Sequence, residues 1–141
     1  MNERLGHRGY IGSRPYRGMR VPQHVQNLVI RDYCQRNGFS YLLSATEYAM
    51  PGCYMMLGEV AAEAPKLQGI VLYSIFMLPQ RRARRLALCR RFLEAGCSIH
   101  GAVENIAIGN DDDLERIDEL LMLNQIVPET DAGLRHLLSH E

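Results

Sequence analysis

The sequence predicts a single-domain α/β protein, a three-layer open sheet that is mainly parallel, with about four strands and flanking helices. Three observations predict it. Short runs rich in β-branched and aromatic residues alternate with longer stretches of helical spacing. Glycine and proline fall at the joins, where helices end and begin. The length of 141 residues suits one core, enough to bury roughly two-thirds of the surface the unfolded chain exposes.

Each element follows from its own residues. "RGYIGS" reads as a first strand ending at Ser13. Pro22 suits the first turn of a helix in which Val25, Leu28, Val29 and Tyr33 keep helical spacing until Gly38 stops it. "FSYLLS" is a second strand, "ATEYAMPG" a loop and "CYMMLGEVAAEA" a second helix. "LQGIVLYS" has the apolar density of a strand buried on both faces. Pro79 opens a helix reaching Ala95, "CSIHGAV" forms a fourth strand, and "DDDLERIDELLML" is a last helix with acids in its positive first turn. Residues 1–127 form the domain, and 128–141 form a tail with room for a short helix at "AGLRHLLS".

Composition narrows the class. Apolar residues make up 47% and charged residues 23%, the balance of a globular protein. No apolar run approaches the roughly 18 to 20 residues of a membrane helix, and "MNERLGHRGY" lacks the apolar core of a secretory signal, so a cytoplasmic location and no membrane partner are expected. Cys34, Cys53, Cys89 and Cys97 contain no Cys-x-x-Cys pair, which argues for packing thiols and against a zinc site. No cofactor is expected.

The net charge of zero hides an asymmetry. Residues 1–36 carry seven arginines against Glu3 and Asp32, residues 79–95 carry six against Glu94, and the chain from Val103 carries ten acids against two arginines. Lys66 is the single lysine among sixteen basic residues. Arginine favours fork-shaped recognition of phosphate or carboxylate, although a GC-rich genome gives the same bias.

In open parallel sheets, ligands dock beyond the carboxyl ends of the strands. That rule gathers Ser13 and Arg14, then Ser44, Thr46 and Glu47, then Tyr73 and Ser74, then Glu104 and Asn105 at one crevice. The first loop adds Arg17, Arg20, Gln23 and His24 at a helix start, where free N–H groups favour an anion. Glu47 and Glu104 follow apolar strands, where an unpaired carboxylate is costly, and with His24 and Ser13 they are the candidate catalytic groups. His100, inside a strand, reads as a hydrogen-bonded core residue. In "PQRRARRLALCRRFLEAG" the stripe Leu86, Cys89 and Leu93 leaves Arg81, Arg84, Arg85 and Arg91 on an outer face. That face has no interleaved aromatics for base stacking. Pairing with the acidic last helix, of the same or a second chain, is favoured over nucleic acid, and a homodimer is expected.

Two resemblances carry further expectations. "GYIGSRP", "RVPQHVQNLVIRDYC", "LLSATEYAM", "GIVLYSIFMLP" and the "AVE" at Ala102 to Glu104 are similar to the sporadic carbohydrate cluster proteins, small bacterial proteins of surface-polysaccharide or unusual-sugar gene clusters. This resemblance spans residues 9–108 and implies a setting in carbohydrate biosynthesis without a reaction. It adds Gln26, Asn27 and Tyr48 to Arg14, Arg17, Arg20, Gln23 and Ser74 as ligand-binding candidates. The order of elements, with "QHVQNLVIRDYCQRNGF" leading into a strand, also resembles the catalytic domain of serine recombinases, which implies a resolvase-like or flavodoxin-like sheet. Those enzymes carry arginine two residues before the nucleophilic serine. Here Ile11 stands there, and "FMLPQRRAR" replaces their Asp-Arg-Leu-x-x-Arg run, so strand exchange is not expected.

Two functions follow from these readings. One is a protein that binds or acts on an anionic sugar or sugar nucleotide, with arginines on the anion and Glu47, Glu104 or His24 moving protons. The other is a non-catalytic module with a degenerate serine-recombinase-like fold that holds a ligand, a partner enzyme or DNA. The sequence does not decide whether the protein is an enzyme.

Overall fold

A computed structural model of the chain describes residues 4–13, 15, 19–47, 50 and 53–123. The order is β1 (His7–Gly12), α1 (Gln23–Arg36), β2 (Tyr41–Glu47), α2 (Met55–Glu63), β3 (Gly69–Leu72), α3 (Arg82–Glu94), β4 (Ser98–Gly101) and β5 (Ile106–Ile108). A further helix, α4, covers 111–123. Short 3₁₀ turns occupy Ala64–Lys66 and Ile75–Met77. The strands form one sheet in the order β2-β1-β3-β4-β5. β1 pairs in parallel with β2 and β3, and β3 with β4, while β5 runs antiparallel to β4.

The expected class holds, with five strands where the sequence indicates about four. The extra strand closes a tight hairpin on β4. Asn105 turns the chain there at φ 55°, a left-handed conformation that asparagine tolerates better than most side chains. With only three residues, β5 is too short for its alternation to register. β2 continues three residues past the expected end at Ser44, and α3 starts at Arg82, after Pro79. The tail 128–141 and its expected helix lie outside the described residues.

Strand alternation builds two unequal cores. Tyr10, Ile70, Leu72, Ile99 and Ile108 face Leu57 and Val60 of α2, Cys89 and Phe92 of α3, and Leu114 and Leu121 of α4. On the opposite face, Ile11, Val71, Tyr73 and Ala102 meet Ile30, Tyr33 and Cys34 of α1. Each large side chain so buried contributes about 1.5–3 kcal/mol. β3 is buried along its whole length, as a central parallel strand must be.

Arg85 departs from the expected outer face, being 1% exposed. It lies on the same helical stripe as Cys89 and Phe92, the buried side of α3. Its charge is tolerated there because Asp118 of α4 accepts from Arg85 Nε at 2.8 Å and Nη2 at 2.5 Å, and from Arg82 Nε at 2.8 Å. Arg85 Nη1 also donates to the carbonyls of Pro79 and Gln80. Burial alone would push the Asp118 carboxyl up. The hydrogen bonds and charges of Arg82 and Arg85 outweigh it and hold the group below its usual range. The basic and acidic helices therefore pair within one chain.

Candidate functional site

Four parallel strands send their carboxyl ends to one rim, and the chain leaves β1 and β3 toward opposite faces, so the sheet opens between them. Ser13 follows β1, Glu47 ends β2, Ser74 follows β3, and Glu104 sits in the turn after β4. The rim is shared, and its polar groups fall into two bonded pairs.

Glu47 is 1% exposed. Its Oε2 accepts from the Tyr10 hydroxyl at 2.7 Å and the Leu57 N–H at 3.0 Å, its Oε1 accepts from the Met56 N–H at 3.0 Å, and the Cys53 thiol lies 3.8 Å away. The carboxylate thus seals the amino end of α2, whose N-cap residue, Tyr54, does not cap the helix with its own side chain. A negative charge there is favoured by the helix dipole and by otherwise unpaired N–H groups. The Ser13 hydroxyl reaches the Glu47 backbone carbonyl at 3.5 Å.

The second pair is Ser74 and Glu104. Ser74 Oγ donates to Glu104 Oε2 at 2.7 Å and accepts from the Phe76 N–H at 3.2 Å, while Glu104 Oε1 accepts from the Ile75 N–H at 2.8 Å. A serine hydrogen-bonded to a carboxylate has the contact geometry of an activated nucleophile. Ser74, however, is fully buried, so a substrate has no approach to its oxygen. What the pair does instead is start the 3₁₀ turn after β3. Gly101 makes room for it, since a Cβ there would stand 2.9 Å from Glu104 Oε1.

The amide residues of α1 are also bonded. Gln26, 3% exposed, donates from Nε2 to the Gly12 and Val21 carbonyls at 2.8 Å each and accepts from the Gly12 N–H at 3.0 Å. It clamps the end of β1 to the end of the following loop. Asn27 Oδ1 accepts from Ser44 at 2.6 Å and Tyr41 at 3.3 Å, joining α1 to β2.

Arg20, Gln23 and His24 stand apart from this web. All three are exposed at the start of α1, where the N-cap residue, Pro22, offers no side-chain cap and no acid occupies the first turn. None of their side chains makes a hydrogen bond or ion pair among the described residues. Arg14, Arg17 and Tyr48 lie outside the described residues. Among the described residues, no group of three or more His, Cys, Asp or Glu is placed to hold a metal ion.

Sequence reasoning missed the partners. Tyr10 is buried at 0%, and a buried phenol requires an acceptor, yet nothing local names one 37 residues away. Gly101 carries its signal only once the path of Glu104 is known.

The sequence matches no protein-family model and no curated protein. The sporadic carbohydrate cluster resemblance thus finds no support there. The fold does have solved counterparts. It is similar to a resolvase family site-specific recombinase from Streptococcus pneumoniae, with a TM-score of 0.57 and 7% identity over 94% of each chain. It is equally similar to the N-terminal catalytic domain of TP901-1 integrase, with a TM-score of 0.57 and 14% identity over 90% of this chain and 98% of that one. The chain therefore has a resolvase-like fold.

Proposed function

We propose that this resolvase-like domain is a non-catalytic binding module whose ligand is an anionic sugar or sugar nucleotide docked at the amino end of α1. The observation that carries the reading is the division of labour at the rim. Glu47 and Glu104 spend both oxygens on backbone N–H groups and buried hydroxyls, while Arg20, Gln23 and His24 are exposed beside a helix start whose N-cap residue, Pro22, offers no side-chain cap. Carboxylates so engaged are poor proton carriers, because each transfer would break a helix start. Ile11, buried at 2%, fills the position where serine recombinases carry an arginine, which supports binding without strand exchange. The sugar class rests on the motif resemblance alone.

Thermal unfolding with uridine diphosphate sugars and uronic acids tests this. A ligand at about 100 times its Kd stabilises the native state by about 2.7 kcal/mol. Stabilisation by one member of the panel, abolished in Arg20→Ala with the fold intact, is the expected result. A silent panel together with salt-dependent binding to duplex DNA would replace the sugar reading with the nucleic-acid one.

A further inference from the structure

On the face of the sheet that α1 covers, two histidines are buried together. His7 opens β1 and is 4% exposed, and His100 in β4 is 5% exposed. Their ring centroids are 5.3 Å apart. Phe39, just beyond α1, stacks on His7 at 3.7 Å and meets the edge of His100 at 5.2 Å. Gly69 of β3 leaves the space, since a Cβ there would lie 2.6 Å from His7 Cδ2.

Both ring nitrogens of His100 are hydrogen-bonded. With the Ser98 hydroxyl donating to the Gln68 carbonyl at 3.2 Å, Ser98 Oγ accepts from His100 Nε2 at 2.8 Å. His100 Nδ1 is then the acceptor, and the Tyr33 hydroxyl of α1 donates to it at 2.7 Å. A second proton on Nδ1 reverses that bond and strands the Tyr33 hydrogen in the core. Among the described residues, His7 Nδ1 is buried without a hydrogen-bond partner.

We propose that His7 and His100 form an acid-sensitive latch between α1 and the sheet, whose protonation releases α1 while the face packed by α2, α3 and α4 stays closed. Among the described residues, no anion is bonded to either ring. From α1 come the Tyr33 hydroxyl, the Cys34 thiol and the Arg36 guanidinium, which sits 5.9 Å from the Tyr33 ring and is itself paired with exposed Asp32. β1 contributes Arg8, engaged with Glu63. β3 offers Gly69 and Val71, and β4 offers the Ser98 hydroxyl. Burial pushes His100 down to about 4, helped by the nearby His7, and burial lowers His7 as well. Both rings bind protons more readily when freed, so the latch is fully closed above the ordinary histidine value of 6.5 and weakens as pH falls from there toward 4. Each ring shifts the equilibrium by up to about tenfold per pH unit in that window. The latch stands independently of the ligand proposed above.

Amide hydrogen exchange of the full chain at pH 7.5 and 5.5, corrected for intrinsic rates, tests it. The expected result is a loss of about tenfold or more in protection across α1 with α3 unchanged, and no such loss in His7→Phe/His100→Gln. An equal loss on α3, no loss at all, or an undiminished loss in the double variant would each overturn it. If that variant fails to fold, proton NMR titration of the native imidazoles decides. A ring titrating at or above 6.5 with α1 still protected sinks the proposal, and rings that titrate lower as α1 opens support it.

Discussion

Glu47 shows how one residue type in one place supports two different stories. Its position after an apolar strand marks it from sequence as a carboxylate needing a partner, and the structure supplies Tyr10 and the first N–H groups of α2. Replacing it by glutamine keeps the shape but removes the charge that those donors share. We expect Glu47→Gln to lose about 1–3 kcal/mol in urea unfolding. A variant as stable as the parent would mean that the carboxylate is not holding the helix. The thiols make a second test at this scale. Burial pushes Cys34 up to about 11 and Cys89 and Cys97 up to about 12, whereas Cys53 is only partly buried. A thiol reagent at pH 8 should label Cys53 in the folded protein and reach the other three only after denaturation. Burial of cysteine was legible from the sequence, but which one stays reachable depends on the packing around α2.

Among the elements, α3 and α4 are the pair whose relation sequence reading placed only in outline. Their opposite charges point to pairing, yet a stripe drawn through Leu86, Cys89 and Leu93 leaves Arg85 on the outer face. Arg85 in fact shares the stripe of Cys89 and Phe92, and only its partner, Asp118 on another helix 33 residues away, lies beyond the reach of periodicity. Breaking such a pair from one side leaves a buried charge, so Arg85→Met should cost about 3–5 kcal/mol, and Arg85→Met/Asp118→Leu should recover most of it. Urea midpoints of the three proteins check this, and equal losses in single and double variants would show that the pair is not coupled. Arg82, with its side chain 61% exposed, adds little, as surface pairs do. β5 shows the opposite limit, since three residues in a hairpin carry too little pattern to be read.

For the whole molecule, alternation of strand and helix was enough to give an α/β sheet, because buried parallel strands and amphipathic helices differ in period. Strand order was not readable, since pairing joins residues remote in sequence. The solved counterparts keep this architecture at 7% and 14% identity, so much of the fold is specified by pattern and little by particular side chains. Function was less legible for the same reason: an exposed arginine looks alike whether or not it meets a ligand.

The place of β1 between β2 and β3 has a consequence for the order in which a growing chain matures. β1, α1 and β2 emerge together and can associate early, but the other flank of β1 waits for Gly69 and the strand it begins. Until then Tyr10 and its neighbours form an open margin, the kind of unpaired strand that invites pairing with a stranger. Nascent chains stalled before β3 should therefore be the ones that clump on the ribosome, and those released after it should not.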